Sequence, residues 1–336
     1  MKVDSGLPLG DLARVPERAR QIEASGYDGA ISAEVTSDPF LPLALAAEHT
    51  QRIDLLTSIA VAFARNPMTL AQVGHDLNCY SRGRFVLGLG SQIQAHITKR
   101  FSMPWSHPAP RMRELVLAMR AIWSCWYEGK PLDFRGEFYR HTLMTPMFTP
   151  TDRSWGAPRV FVAAVGPVMT EVAAEVADGL IAHAFTTGRY LREVTLPAVA
   201  RGLAKAGRRR EDFEIMCPMF TRVAGNAARF EAQTRALRQQ IAFYGSTPAY
   251  RGVLELHGWG ELQGELNRLS KLGRWVEMGE RIGEDVLDAF CVTAEPTRLA
   301  EALLARCGGA VDRVLDGFGL EDPELRAEQV AKLRAG

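Results

Sequence analysis

The chain is poor in the features that mark several functional classes. Its five cysteines, Cys79, Cys125, Cys217, Cys291 and Cys307, are scattered over 336 residues and form no Cys-x-x-Cys pair. Neither a disulfide framework nor a thiolate metal site is indicated, and small buried apolar groups are the expectation. No His-x-His, His-Glu-x-x-His or Gly-x-Ser-x-Gly run occurs. The ligands of a metal hydrolase and the nucleophile elbow of a serine hydrolase are therefore missing, and no metal is expected. Charge of one sign is also lacking: 40 Lys and Arg face 39 Asp and Glu, a net +1. With no basic run interleaved with aromatics, nucleic acid is not an expected partner. No apolar run approaches the ~18 residues of a membrane span. No charged-then-apolar leader precedes Lys2-Val3-Asp4, the pattern expected of a soluble cytoplasmic protein with no membrane partner.

What the chain has is apolar substance, 47% of residues, arranged in alternating strand-like and helix-like segments. Strand patterns begin at Lys2–Leu7, Asp28–Ala33, Ile53–Phe63 and Phe85–Leu89. They continue at Val160–Ala164, Leu180–Ala184 and Phe213–Val223, and the chain closes with Asp288–Thr293 and Val311–Phe318. Helical patterns fall at 11–25, 39–50, 68–80, 109–127, 168–176, 188–206, 226–243, 296–307 and 321–334. A hairpin is expected around Phe134–Tyr139, where the residues alternate about Gly136. Of these nine patterns eight are counted as major strands; most are followed by a helix, and without two separable halves they predict one α/β domain over 1–336. Its expected fold is a closed (β/α)8 TIM barrel with insertions at the carboxyl face, the principal one at about 244–287.

In such a fold ligands bind at the carboxyl ends of the strands, so the residues there are the candidates. Gly88-Leu89-Gly90-Ser91 ends a strand. It lacks the third glycine of a dinucleotide fingerprint, because position 93 is Ile93. The alternative is that the glycines let a flat ligand approach the backbone. Ala163-Ala164-Val165-Gly166-Pro167 leads from a strand into a helix opened by proline. Free N–H groups there suit a phosphate, although a plain tight turn explains the residues equally well. Glu34 follows the second strand and serves either acid–base chemistry or a structural salt bridge. His96 and His183 lie just past strands, on the same rim. Arg65, Lys99, Arg100, Arg111 and Arg113 form a basic group on nearby loops, read as solvated surface or as attraction for an anionic cofactor.

Taken together, several runs resemble the luciferase-like monooxygenase superfamily, and within it the class using the deazaflavin coenzyme F420. They are Gly26-Tyr27-Asp28-Gly29, Thr57-Ser58-Ile59 with Arg65-Asn66-Pro67, Gly83 through Gly90, and Val162 through Pro167 with Ala177-Asp178-Gly179. Ile241 through Tyr250 is similar to a narrower signature of that class. The resemblance covers nearly the whole chain. It implies a cofactor at the barrel mouth and a non-proline cis peptide at Ser58–Ile59. Gly90 and Ser91 would border the ring or its side chain, Ala163, Ala164, Val165 and Gly166 would hold the phosphate, and Glu34 would lie beside the ring. It also implies a homodimer packed through barrel helices. The chain departs from the sugar-phosphate dehydrogenase branch, whose catalytic His and Glu fall at Val35 and Ile93 here. Glu34, His96 and His183 are then the proton-handling candidates. The expected activity is hydride transfer between F420 and a small organic substrate. An FMNH2-dependent monooxygenase, or a barrel that binds a ligand without catalysis, are the alternatives.

Overall fold

The computed structural model describes residues 1–336. Eight parallel strands form the barrel: β1 Lys2–Gly6, β2 Gly29–Ser32, β3 Asp54–Thr57, β4 Phe85–Gly90, β5 Arg159–Ala164, β6 Gly179–Ala182, β7 Glu214–Pro218 and β8 Arg313–Leu315. Each pairs with its neighbour in chain order, and β8 pairs back onto β1, with Lys2 opposite Arg313 and Asp4 opposite Leu315. The sheet therefore closes into a (β/α)8 cylinder. Its strands are apolar on both faces because helices cover the outside and side chains fill the inside.

Two cores follow from that arrangement. The larger, of 60 buried residues, lies between strands and outer helices. The smaller fills the cylinder with Ile31, Leu56, Val86, Phe161, Ile181 and Met216, one each from β2 to β7. The helices start where local chemistry dictates. Before Pro67–Tyr80, Asn66 accepts the Thr69 N–H at 3.0 Å and Pro67 occupies the first turn, where its missing N–H costs nothing. Arg84 satisfies loop carbonyls at Ala47, Thr50, Ile53 and Ser81, fastening β4 beneath the preceding helix. No helix is long and apolar enough to cross a membrane.

The amino end of the cylinder is plugged by charge. Arg313 is fully buried; its Nη2 lies 2.7 Å from Asp54 Oδ2, its Nη1 3.3 Å from Glu214, and its Nε 2.6 Å from Asp4 Oδ2. The Asp4 contact is a close approach of charges without hydrogen-bond alignment. Arg159 reaches Asp54 at 2.6 Å and Lys2 reaches Glu214 at 2.8 Å. Burial pushes the Asp4 carboxyl up to about 7 against the opposing pull of Arg313. Gly29 leaves the room that Asp4 occupies, since a Cβ there would sit 2.3 Å from Asp4 Oδ1. The bore of the cylinder is filled at this end by the charged cluster.

Three local expectations are revised. The Phe213–Val223 run is two strands, β7 and Phe220–Val223. The second leaves the barrel and pairs in parallel with Cys291–Ala294. The expected strand Asp288–Thr293 is therefore no part of the cylinder: its first residues end the helix Glu284–Phe290 and the rest belong to that side pair. The insertion at 244–287, expected to be irregular with short helical pieces, is mainly helical, with helices at Arg251–Glu255, Gly260–Lys271, Trp275–Glu280 and Glu284–Phe290 packed beside Ala227–Gly245. It has its own core of 15 residues, including Phe185, Phe220, Ile241, Leu266, Leu287 and Phe290. Short helices with few apolar positions each give no sustained period to read.

Candidate active site

The mouth is shaped by an interruption in β3. Leu55 and Leu56 pair with Phe85 and Val86, but Ala60 and Val61, which resume the strand, pair with Leu89 and Gly90. Residues 57–59 thus oppose only 87 and 88, a bulge that bends the strand at the rim. The Ser58–Ile59 peptide bond within it is cis. Ladder bonds lost at the bulge are replaced by a side chain: Thr57 Oγ1 accepts the Gly88 N–H and donates to the Gly88 carbonyl, both at 2.8 Å. On the other side, Ser58 N–H donates to Ser32 O at 2.8 Å and Glu34 N–H to Ile59 O at 3.1 Å.

The glycines have a different task from the one read in the sequence. A Cβ on Gly88 would lie 1.9 Å from the Thr57 carbonyl oxygen, and one on Gly90 would lie 2.9 Å from both Cγ1 and Cδ1 of Ile59. Gly88 and Gly90 make room for the bulge, and the Ile59 side chain occupies the space a ligand was expected to use. Ile59 and Ala163 are half-buried and pack on the interior core from above. They form the apolar floor of the mouth, which Gly90 supports from behind. Ser91 donates to the Gln92 carbonyl at 3.1 Å, within a turn where Gln92 has φ +60° and its own side chain accepts the Ile93 N–H.

Glu34 is held rather than free. Its Oε2 accepts the Val61 N–H at 2.7 Å and pairs with Arg65 Nη1 at 2.6 Å; the carboxylate side chain is 7% exposed. Arg65 also donates to Val61 O and reaches Asp38 at 3.4 Å. The salt-bridge reading of Glu34 is the one the geometry realises, fastening β2 to the resumed β3. His96 stands exposed on the short helix Gln94–Lys99, which the sequence pattern does not show. Glu34 is thus engaged in an ion pair, while His96 is exposed on its helix. Of the basic group, Arg100 donates to Val35 O, Arg111 to Tyr139 and Pro104 O, and Arg113 to Glu175. Lys99 alone is exposed without a partner.

After β5 the chain turns at Val165 and Gly166 into the helix Pro167–Val176. Gly166 is its N-cap and no side chain caps it. The N–H groups of Gly166, Val168 and Met169 have no protein acceptor, and no acidic residue lies in the first turn. A Cβ on Gly166 would meet nothing within 4 Å. Three free donors at the positive end of a helix, beside open space, suit a phosphate.

His183, the residue after β6, completes this arc of the rim. Its Nδ1 accepts the Phe185 N–H at 2.9 Å, which assigns the remaining ring proton to Nε2. Burial lowers its pKa to about 4, so the ring is neutral near pH 7. The insertion delivers two aromatic neighbours that sequence spacing does not announce. Tyr244 meets the imidazole edge-on at 4.6 Å and Tyr250 at 5.0 Å. Phe185 stacks on Phe290 at 4.6 Å and on Tyr250 at 5.9 Å, joining the rim to the insertion. Two depressions, of about 440 and 430 Å3, lie away from this rim: one beside the amino end around Lys2, Asp28 and Arg334, the other on the insertion around Thr234, Arg238 and Glu284.

Comparison with known proteins agrees with this architecture. The model of the luciferase-like monooxygenase family matches residues 2–313. An uncharacterized protein of Mycobacterium tuberculosis is 56% identical over 318 residues, covering 95% of this chain and 93% of its own. The 5,10-methylenetetrahydromethanopterin reductase of Archaeoglobus fulgidus is 28% identical over 295 residues, 86% of this chain and 83% of its own. Among solved structures, the coenzyme F420 dependent tetrahydromethanopterin reductase of Methanopyrus kandleri superposes with a TM-score of 0.74 at 20% identity, covering 98% of this chain and 96% of the other. By family model, by sequence and by the closed cylinder itself, the chain belongs to the luciferase-like monooxygenase family.

Proposed function

We propose that the protein is an F420-dependent oxidoreductase that moves a hydride between the deazaflavin C5 and a small organic substrate. The observation that carries the proposal is the pairing of an apolar floor, Ile59 and Ala163, with an acceptor-less N–H cradle at Gly166, Val168 and Met169 on one arc of the mouth. A flat redox ring joined to a phosphate through a polyol needs both. The residues present fit the group: the cradle has free donors, no competing carboxylate and no side chain in the way. Bound F420 would supply two-electron hydride chemistry, and the chain's part is to bind, orient and exclude water. Gly166, Val168 and Met169 would hold the phosphate, while Ile59 and Ala163 would support the ring from the barrel side. His183 would offer a neutral hydrogen-bond donor to whatever lies above it.

The named relatives support this reading, since the Methanopyrus enzyme is F420-dependent by its description. The cradle would recognise the phosphate of FMN by the same contacts, so one titration separates the two. Purified protein is titrated with F420 and with FMN, oxidised and reduced, by fluorescence quenching. Saturable F420 binding with weak FMN binding is expected. Tight FMN binding with no response to F420 overturns the proposal and favours a flavin-dependent monooxygenase. We also propose a homodimer, supported by exposed Leu41 and Tyr80 on the barrel helices Phe40–His49 and Pro67–Tyr80; sedimentation checks it.

A further inference from the structure

We infer that His183, Tyr244 and Tyr250 form a substrate subsite for an uncharged, planar molecule that presents a hydrogen-bond-accepting oxygen to His183 Nε2. The inference rests on the proposed cofactor reading, because it places the substrate on the same rim.

Three observations carry it. First, the imidazole is locked. With Nδ1 accepting the Phe185 N–H at 2.9 Å, the ring cannot take up a proton there without breaking that bond. What remains is a single N–H at Nε2, and the ring's one hydrogen bond within the protein is the one at Nδ1. A neutral imidazole held this way polarises an oxygen by donating a hydrogen bond and does not shuttle a proton. It takes its place at the end of β6, beside the phosphate cradle that ends β5, with His183 N–H donating to Ala164 O at 3.3 Å.

Second, the surroundings of the ring are aromatic. Tyr244 stands perpendicular to it at 89° and Tyr250 inclines at 47°. Phe185 backs Tyr250 with an interplanar angle of 26°. Flat rings in this arrangement offer edges and faces to a planar ligand. Tyr244 and Tyr250 come from the insertion and not from the barrel, so this wall belongs to the particular chain more than to the cylinder.

Third, the neighbouring cations are engaged. Arg189, six residues on, binds Glu193 and the Leu256 carbonyl. Arg251, next to Tyr250, binds Glu255 at 2.6 Å. No free guanidinium is left beside the ring to balance a phosphate or carboxylate on the substrate. A half-buried neutral donor with aromatic walls selects against an anion, because the water the anion sheds is not replaced by a countercharge.

The test uses full-length protein saturated with F420, labelled with 15N at histidine, and with the His183 signals assigned by loss in His183→Asn. The ring is expected to show an Nε2–H tautomer at pH 7. Two uncharged planar probes, menadione and 2-cyclohexen-1-one, are titrated against glucose 6-phosphate. At least one uncharged probe is expected to shift the His183 ring signals saturably, while the sugar phosphate leaves them unmoved. His183→Asn and Tyr250→Leu are each expected to weaken binding of that probe about tenfold, with F420 affinity unchanged. Asn at 183 keeps an acceptor for the Phe185 N–H, which guards against loss of fold. A charged or Nδ1–H ring, a response to glucose 6-phosphate, silence towards both uncharged probes, or unaltered probe affinity in both variants overturns the inference. Failure of F420 to bind while a probe still shifts His183 sinks the cofactor reading and leaves the subsite standing.

Discussion

Thr57 Oγ1 exchanges two hydrogen bonds with the backbone of Gly88, giving one to its carbonyl and taking one from its N–H, each at 2.8 Å. One hydroxyl thereby replaces the ladder where β3 bulges. Its removal leaves a buried donor and a buried acceptor without partners, at about 1–3 kcal/mol each. Thr57→Val, which keeps the shape and loses the hydroxyl, is expected to lower unfolding free energy by about 2–6 kcal/mol. Gly88→Ala is expected to be worse than Thr57→Val, because backbone and not a flexible side chain blocks the new Cβ. Urea denaturation of both variants checks the order; a Gly88→Ala protein as stable as wild type would mean the bulge is not packed this way.

Glu34 provides a separation between structural and chemical roles. Glu34→Gln keeps an acceptor for the Val61 N–H but removes the charge that faces Arg65, which retains only Val61 O and Asp38. A stability loss of about 1–3 kcal/mol is expected, with turnover reduced no more than a few-fold once the protein is folded. A turnover loss of 10^3 or more at full stability would restore the proton-handling role.

The phosphate cradle can be tested without reference to the substrate. Gly166 has φ −81°, which any residue adopts, and free space where its Cβ would be. Gly166→Val is therefore expected to leave the melting temperature within a degree or two while filling the cradle. F420 affinity is expected to fall tenfold or more, corresponding to one lost charge-assisted contact. Affinity and melting curves measured on the same sample decide the matter.

His183 also predicts a pH dependence. Its pKa falls from 6.5 in the unfolded chain to about 4 in the folded one, through burial. Between those values the unfolded state binds more protons, so stability rises with pH. The contribution is fully present above pH 6.5 and is lost as pH falls towards 4, amounting to up to about 3 kcal/mol. Of the groups that face the ring, Tyr250 has its hydroxyl pKa pushed up to about 12 by burial, far above this range. In His183→Asn this component is absent. The gap in unfolding free energy between variant and wild type is thus expected to move in favour of the variant from pH 7 to pH 4.5; a gap independent of pH would refute the burial.

The cylinder is legible in the sequence because its signals are local. Strands such as Phe85–Gly90 are apolar throughout, and helices announce their starts with residues such as Asn66 and Pro67. The cradle at Gly166 is legible for the same reason, since a small-residue turn and the helix it opens are contiguous. What escapes is non-local or register-dependent. Glu34 meets Arg65 across 31 positions, and no periodicity links them. The meaning of Gly90 depends on a one-residue slip between β3 and β4, which only pairing reveals. The neighbours of His183 lie 61 and 67 residues downstream, at Tyr244 and Tyr250, in a segment whose brief helices conceal their period.

The side pair Phe220–Val223 with Cys291–Ala294 has a broader consequence. The excursion departs and returns through two adjacent parallel strands, Phe220 opposite Cys291 and Val223 opposite Ala294. Its two roots are thus clamped together whatever lies between them. Additions, deletions or wholesale replacement of the intervening helices need not disturb the eight staves below, nor the anion seat proposed at Gly166. A lineage could rewrite the roof over His183 to admit new compounds while inheriting the redox machinery intact.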